Sequence, residues 1–171
     1  MEKIVKYSPP GRDGNLLEDL LFGNFITNSS VVVKKQCFDP VGGFDEKLRQ
    51  AEDWEMWTRL SRFFSFAYVD EVLVRYHLHK SGRIREAGMN APHYLARIYD
   101  VHTDLFKKHR KARSHFLMRQ GYALVRNGSL RAGRRFFLKS MIVDPLRLEP
   151  VVAMVRSITS MVDHGKVVNQ R

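Results

Sequence analysis

Two adjacent acids, Glu52 and Asp53, followed closely by Trp54, Glu55 and Trp57, form the stretch of this chain best suited to chemistry. A carboxylate at the rim of an aromatic-lined cleft can take a proton from a substrate hydroxyl or orient a polar substrate. Glycosidic hydrolysis fits less well, because it needs two carboxyl groups facing each other across a bond, and neighbouring residues on a helix diverge. The same two acids would also serve as ordinary helix capping, since a helix N-terminus carries unpaired N–H groups and partial positive charge.

His77 and His79 are a second pair with chemical potential. If Val72 to His79 is a strand, alternation puts Leu73, Arg75, His77 and His79 on one face. Two histidines projecting together can ligate a metal, but the nearby sequence offers no third ligand, and hydrogen-bonded or exposed histidines are the plainer reading.

The elements that would position these residues follow from the pattern. Trp54, Trp57, Leu60 and Phe64 recur at helical spacing and predict a helix that opens at the acids and buries one face. The glycines Gly42 and Gly43 predict a sharp turn before it, one that lets Phe44 fold inward. Gln36 to Val41 reads as a helical turn ending in those glycines. Leu16 to Phe22 predicts a short amphipathic helix capped by Asn15 and broken at Gly23-Asn24. The β-branched run Phe25 to Val33 predicts a buried strand, with Lys3 to Tyr7 a short edge strand. Phe63 to Asp70 carries enough aromatic residues to be core.

In this order the motifs resemble a known family. Gly42-Gly43-Phe44-Asp45-Glu46, a spacer, and Glu52-Asp53-Trp54-Glu55-Met56-Trp57-Thr58-Arg59-Leu60 are similar to the acceptor-side segment of family 2 glycosyltransferases with the GT-A fold. Upstream, Asn24-Phe25-Ile26-Thr27-Asn28-Ser29-Ser30 resembles that family's N-x-I-x-x-S-S strand. Downstream, Arg75-Tyr76-His77-Leu78-His79-Lys80-Ser81 resembles its Y-R-x-H-x-x-S ending, with His77 standing where the family has arginine. The match covers roughly the first half of the chain.

The resemblance implies an α/β fold, here a partial GT-A-type sheet with flanking helices and then an all-helical C-terminal region. It implies inverting transfer of a sugar from a nucleotide-diphosphate donor to a glycan or lipid-linked acceptor, in polysaccharide biosynthesis at the cell envelope. By the same resemblance Asp53 is the general base and Glu52 its catalytic neighbour. His79 lies near the donor diphosphate and its metal, and is the one residue of this chain implied near that ion. Asn28, Ser29, Trp54 and Asp45 are the implied acceptor-binding residues. Asn28 and Ser29 could equally satisfy local backbone groups, and Asp45 could stabilise its turn. The family holds a divalent metal, magnesium or manganese, through an Asp-x-Asp motif in a donor-binding half. No Asp-x-Asp occurs here and 51 residues precede Glu52, so the chain is expected to be a fragment lacking that half, or a non-catalytic relative that binds glycan, membrane or a partner.

Composition bounds the rest. A hydrophobic fraction of 44% over 171 residues is that of a globular chain. One cysteine, Cys37, excludes an intrachain disulfide and a cysteine-based zinc cluster, and suits a reducing compartment. Neither a signal peptide nor an apolar run of membrane-spanning length is visible, so a cytoplasmic chain, peripheral to the inner face of the membrane, is expected. Residues 1–80 carry 11 Lys and Arg against 12 Asp and Glu, whereas residues 81–171 carry 18 against 6. The basic excess in the second half calls for an acidic partner, an anionic membrane first, or is a solvated helical face. Nucleic acid is not expected, because no recognisable binding module accompanies the charge.

Three segments follow, 1–82, a basic loop at 83–91 read as a lid or linker, and a helical region at 92–171. In the last, Leu95, Ile98, His102 and Leu105 make one stripe. Helices from about Ser114 to Arg126 and from Ser129 to Met141, separated by Asn127-Gly128, resemble a single tetratricopeptide-type hairpin. Val151, Val155, Ile158 and Val162 predict a terminal amphipathic helix.

Overall fold

A computed structural model of the chain describes residues 13–74 and 91–157. The chain divides into two compact units, Met1–Gly82 and Arg83–Arg171.

The first unit is built on two helices, α1 (Leu17–Phe22) and α2 (Glu52–Leu60). The N-cap of α1 is Leu16, one residue beyond the expected Asn15, which instead accepts the Leu17 N–H at 2.8 Å from just outside the helix. Leu20 and Leu21 of α1 are buried, as are Trp54, Met56, Trp57 and Leu60 of α2, together with Leu16 and Leu48 from the flanking chain. The helical spacing of Trp54, Trp57 and Leu60 thus does line a buried face, and Phe64 lies half-buried just past it. The Trp54 indole N–H donates to the Leu20 carbonyl at 2.6 Å, tying α2 to α1.

The expected sheet is absent from the described residues, and the α/β, GT-A-type reading is corrected: the unit is helical with irregular connections. Phe25 to Val33 is not a strand. Asn28–Ser30 form a 3-10 turn, with the Ser30 N–H and hydroxyl both donating to the Thr27 carbonyl at 2.9 and 2.8 Å. A β-branched run becomes a strand only where a neighbour accepts its ladder bonds. No described strand lies beside this one, so its polar members close local bonds instead. The only β pairing among the described residues is a single antiparallel bridge, Gly14 to Phe66, with both N–H···O bonds at 2.8 Å. Asp13 extends it by accepting the Tyr68 N–H at 2.6 Å.

The aromatic stretch 63–70 is also less buried than expected. Phe63, Tyr68 and Val69 are exposed, and so are residues 72–74 of the expected strand. The edge strand at Lys3 to Tyr7, the rest of the Val72 to His79 strand, the basic loop and Ile158 and Val162 lie outside the described residues.

Among the described residues the second unit consists of helices: α3 (Ala91–Val101), α4 (Thr103–Lys108), α5 (Arg110–Arg126), α6 (Leu130–Val143) and a helical segment at 149–157, here α7. The stripe Leu95, Ile98, His102 and Leu105 is buried, although the helix breaks at His102 between α3 and α4. Tyr99 stacks on Phe106 and Phe106 packs against Phe116, which joins α3, α4 and α5.

The α5 to α6 hairpin turns at Gly128, whose φ of 82° suits glycine, with the Ser129 N–H returning to the Leu124 carbonyl at 2.8 Å. Its helices approach closely at Gly121 and Gly133. Ser114 and Ser140 share a buried hydrogen bond of 2.8 Å across the same contact. α7 returns alongside, where Arg134 of α6 donates to the Ser157 carbonyl at 2.7 Å and Ala153 joins Met118 and Phe137 in a small core. No helix among the described residues is long and apolar enough to cross a membrane.

Candidate functional site

The acids Glu52 and Asp53 occupy the first turn of α2, and the backbone that delivers them is unusual. Ala51 sits at the helix N-cap with φ 59° and ψ 21°, the one described residue other than glycine with positive φ. That left-handed conformation costs a residue with a Cβ about 1–2 kcal/mol. Such a cost persists where the surroundings over-determine the conformation, which is common at functional sites.

Asp53 is half-buried and both of its oxygens are engaged. Oδ1 accepts the Trp54 N–H at 2.7 Å, and Oδ2 accepts the Asn24 side-chain amide at 3.1 Å. Asn24 is itself oriented, because its Oδ1 accepts the Ile26 N–H at 3.0 Å. The amide nitrogen is thereby aimed at the carboxylate. Each carboxylate oxygen still has a lone pair to spare, so the group remains able to accept a proton or a hydroxyl donor.

Behind Asp53 stands a buried clasp. Glu55 is 1% exposed and pairs with Arg59 one turn later, Nε to Oε1 at 2.7 Å and Nη2 to Oε2 at 2.7 Å. The guanidinium goes on to donate to the Val41 carbonyl at 2.5 Å and the Gly43 carbonyl at 2.8 Å. A planar five-donor fork is what can satisfy a bidentate carboxylate and two carbonyls together. Arg59 therefore pins the glycine turn to α2. Within that turn Gly42 has φ 75° and its N–H returns to the Phe38 carbonyl at 2.7 Å, closing the short 3-10 turn Lys35–Phe38. Phe44 then lies edge-on to Trp57, with ring centroids 6.2 Å apart, but it stays exposed at the surface and does not fold inward as expected.

The remaining sequence-derived residues fall as follows. Glu52 is half-buried beside Asp53. Trp54 is buried, with its indole N–H directed into α1. Asp45 accepts the Lys47 N–H at 3.0 Å and so supports its own turn. Asn28 and Ser29 are exposed in the 3-10 turn. His77 and His79 lie outside the described residues. Among the described residues no three His, Cys, Asp or Glu side chains converge as a metal site requires, so the divalent metal implied by the resemblance has no ligand set there. Cys37 is a free, half-buried thiol.

Two contributors escaped the sequence reading. Asn24 was legible only as the first member of an N-x-I pattern, and Ala51 carried no signal. The Glu55 and Arg59 pair did carry one, an acid four residues before a base.

Comparison with known proteins adds one finding. The family model described as glycosyltransferase-like family 2 matches residues 2–91, a span that includes α1, the glycine turn, α2 and the 63–74 segment. No curated protein and no solved structure matches the chain.

Proposed function

Because this chain belongs to glycosyltransferase-like family 2, we propose that it supplies the acceptor-side elements of an inverting sugar transfer from a nucleotide-diphosphate donor to a glycan or lipid-linked acceptor. The observation that carries this reading is the oriented carboxylate of Asp53, held on one side by the Trp54 N–H and on the other by the Asn24 amide. A base of this kind accepts the proton of the acceptor hydroxyl while that oxygen attacks the anomeric carbon and the bond to the donor diphosphate breaks. The electron pair leaves on the diphosphate oxygen. Glu52 faces the same helix terminus and orients the acceptor. Asn28 and Ser29, exposed in their turn, offer hydroxyl and amide groups to the acceptor's own hydroxyls. The buried clasp of Glu55 and Arg59 keeps the glycine turn and the helix terminus in fixed register, which is the preorganisation a positioned base requires.

The donor diphosphate and its divalent metal, magnesium or manganese, call for carboxylate ligands that this sequence does not offer as an Asp-x-Asp. We assign the groups that would hold the donor to a complementary donor-binding half; what this chain's own residues do, accepting the acceptor proton at Asp53, is coupled to departure of the diphosphate held there. The second reading is a non-catalytic relative that binds glycan, membrane or a partner through the same platform, and it rests on this sequence carrying the acceptor-side motif without an Asp-x-Asp.

One experiment separates the two. The full chain is incubated with a panel of nucleotide sugars, manganese and glycan acceptors, with and without a donor-binding half, beside Asp53→Asn and Glu52→Gln. Sugar transfer abolished by Asp53→Asn establishes the base. Acceptor binding that survives Asp53→Asn, with no transfer under any condition, establishes the binder.

A further inference from the structure

We infer that the corner where α6 turns into α7 is a docking surface for an anionic lipid bilayer. The most exposed large apolar side chains among the described residues of the second unit lie there: Ile142 is 77% exposed, Leu146 86% and Leu148 72%. Leu138, one turn before Ile142 on the same face of α6, and Val152, one turn after Leu148, are exposed as well. Side chains this open project from the surface instead of lining a groove. Their burial is favourable only in a medium that can close around them.

The charges beside them choose the medium. Arg131 and Arg135 continue the stripe of Leu138 and Ile142 toward the start of α6, Lys139 lies next to it, and Arg156 follows on α7; all four are exposed. Residues 130–157 contain six Lys and Arg and two Asp and Glu. Both acids are ion-paired. Asp144 meets Arg110 at 3.4 Å, and Glu149 meets Arg147 at 2.7 Å.

Apolar tips with exposed cations along the adjoining α6 and α7 suit the bilayer interface, where the tips reach the acyl boundary and the cations stay among phosphates. A second copy of this chain is a poorer occupant, because a two-fold contact through the corner would oppose the same basic residues.

The test is flotation of the full chain with phosphatidylcholine vesicles, with and without about 30% phosphatidylglycerol, at low and high salt. Two variants accompany it, Leu146→Ser with Leu148→Ser, and Arg131→Gln with Arg135→Gln and Lys139→Gln. Circular dichroism confirms that each is folded; all five positions are exposed or point to solvent. The wild type floats with the anionic vesicles, weakly at high salt, and does not float with the neutral ones. The basic triple variant binds about 100-fold more weakly, at about fivefold per residue. The apolar double variant loses at least about tenfold.

Equal recovery with neutral vesicles, absence of binding to anionic ones, or binding that the apolar variant leaves unchanged overturns the inference. Self-association in sedimentation that Leu146→Ser with Leu148→Ser abolishes, without vesicle binding, reassigns the corner to a second copy. No sugar enters this experiment, so its outcome is independent of the proposed transfer reaction.

Discussion

Asn24 reaches across 29 residues of sequence to donate its side-chain amide to Asp53 at 3.1 Å, and its own carbonyl oxygen is spoken for by the Ile26 N–H. The second bond determines the first. With Oδ1 occupied by a donor, the amide can present only its nitrogen to the carboxylate. Under the proposed function Asn24 is a positioning residue. Asn24→Ala lowers kcat for sugar transfer by about 10–100-fold with little change in KM, because the acceptor is still bound while the base is misaimed. The bond is exposed, so thermal stability falls by only about 0.5–1 kcal/mol. Steady-state kinetics beside a melting curve checks both; a loss carried in KM alone would place Asn24 in acceptor binding.

Arg59 makes a contrasting prediction. It serves Glu55, Val41 and Gly43 at once, and Glu55 is inaccessible to water. Arg59→Ala strands a buried carboxylate and frees the glycine turn, at a cost of about 3–5 kcal/mol. Glu55→Gln with Arg59→Met removes both charges and recovers much of that loss. Urea unfolding of the wild type, Glu55→Gln, Arg59→Met and the double variant closes a double-mutant cycle that measures the coupling, beside Arg59→Ala for the full loss. Near-additive losses would show that the clasp does not form in solution.

Ala51 stores strain that glycine would release. Its φ of 59° lies in the region that disfavours a Cβ. Ala51→Gly raises the melting temperature by an amount equivalent to about 0.5–1 kcal/mol, the relief of strain exceeding the added entropy of the unfolded chain. A fall would mean that the surroundings, and not the residue, carry the cost.

How far these features were legible in the sequence follows from their physical origin. The helix at α2 announced itself because Trp54, Trp57 and Leu60 repeat at the helical period, and burial then follows from one face being apolar. The turn at Gly42 was legible because glycine takes positive φ freely. The run Phe25 to Val33 points to a strand that does not form, for the opposite reason. β-branched residues report compatibility with a sheet, while a sheet also needs a partner that no local pattern encodes. The family motif singles out Asp53 in the sequence, yet the αL conformation at Ala51 and the Asn24 bond are tertiary facts. Both depend on which residues fold back against α2.

The glycines of the α5 to α6 hairpin are set by contact. A Cβ on Gly121 would meet the Phe137 ring at 2.5 Å, and one on Gly133 would meet Val125 Cγ2 at 2.5 Å and the Gly121 carbonyl at 2.8 Å. The Val125 side chain can turn aside, but a backbone oxygen moves only if the helices separate. Gly133→Ala therefore costs about 2–3 kcal/mol and Gly121→Ala about 1–3 kcal/mol, and the two together cost less than their sum, because one separation relieves both. Chemical denaturation of the three variants decides; full additivity would mean that the helices do not move as units.

His115 makes the second unit sensitive to acid. Its Nδ1 lies 2.9 Å from Arg147 Nη2, so the neutral ring accepts that hydrogen bond. Burial first, then the charges of Arg147 and Arg119, hold the imidazole below its ordinary 6.5, with Glu149 pulling weakly the other way. As pH falls through 6.5 the unfolded chain takes up a proton that the folded chain still refuses, which favours unfolding. The His115 contribution is thus present above 6.5 and is lost progressively below it. His115→Gln keeps an acceptor for Arg147 and removes the titration. Melting temperatures taken about one unit above and one unit below the ordinary histidine value should fall further for the wild type than for His115→Gln. Equal decline in both would assign the acid sensitivity to other groups, and a smaller decline in the wild type would reverse the sign of the shift.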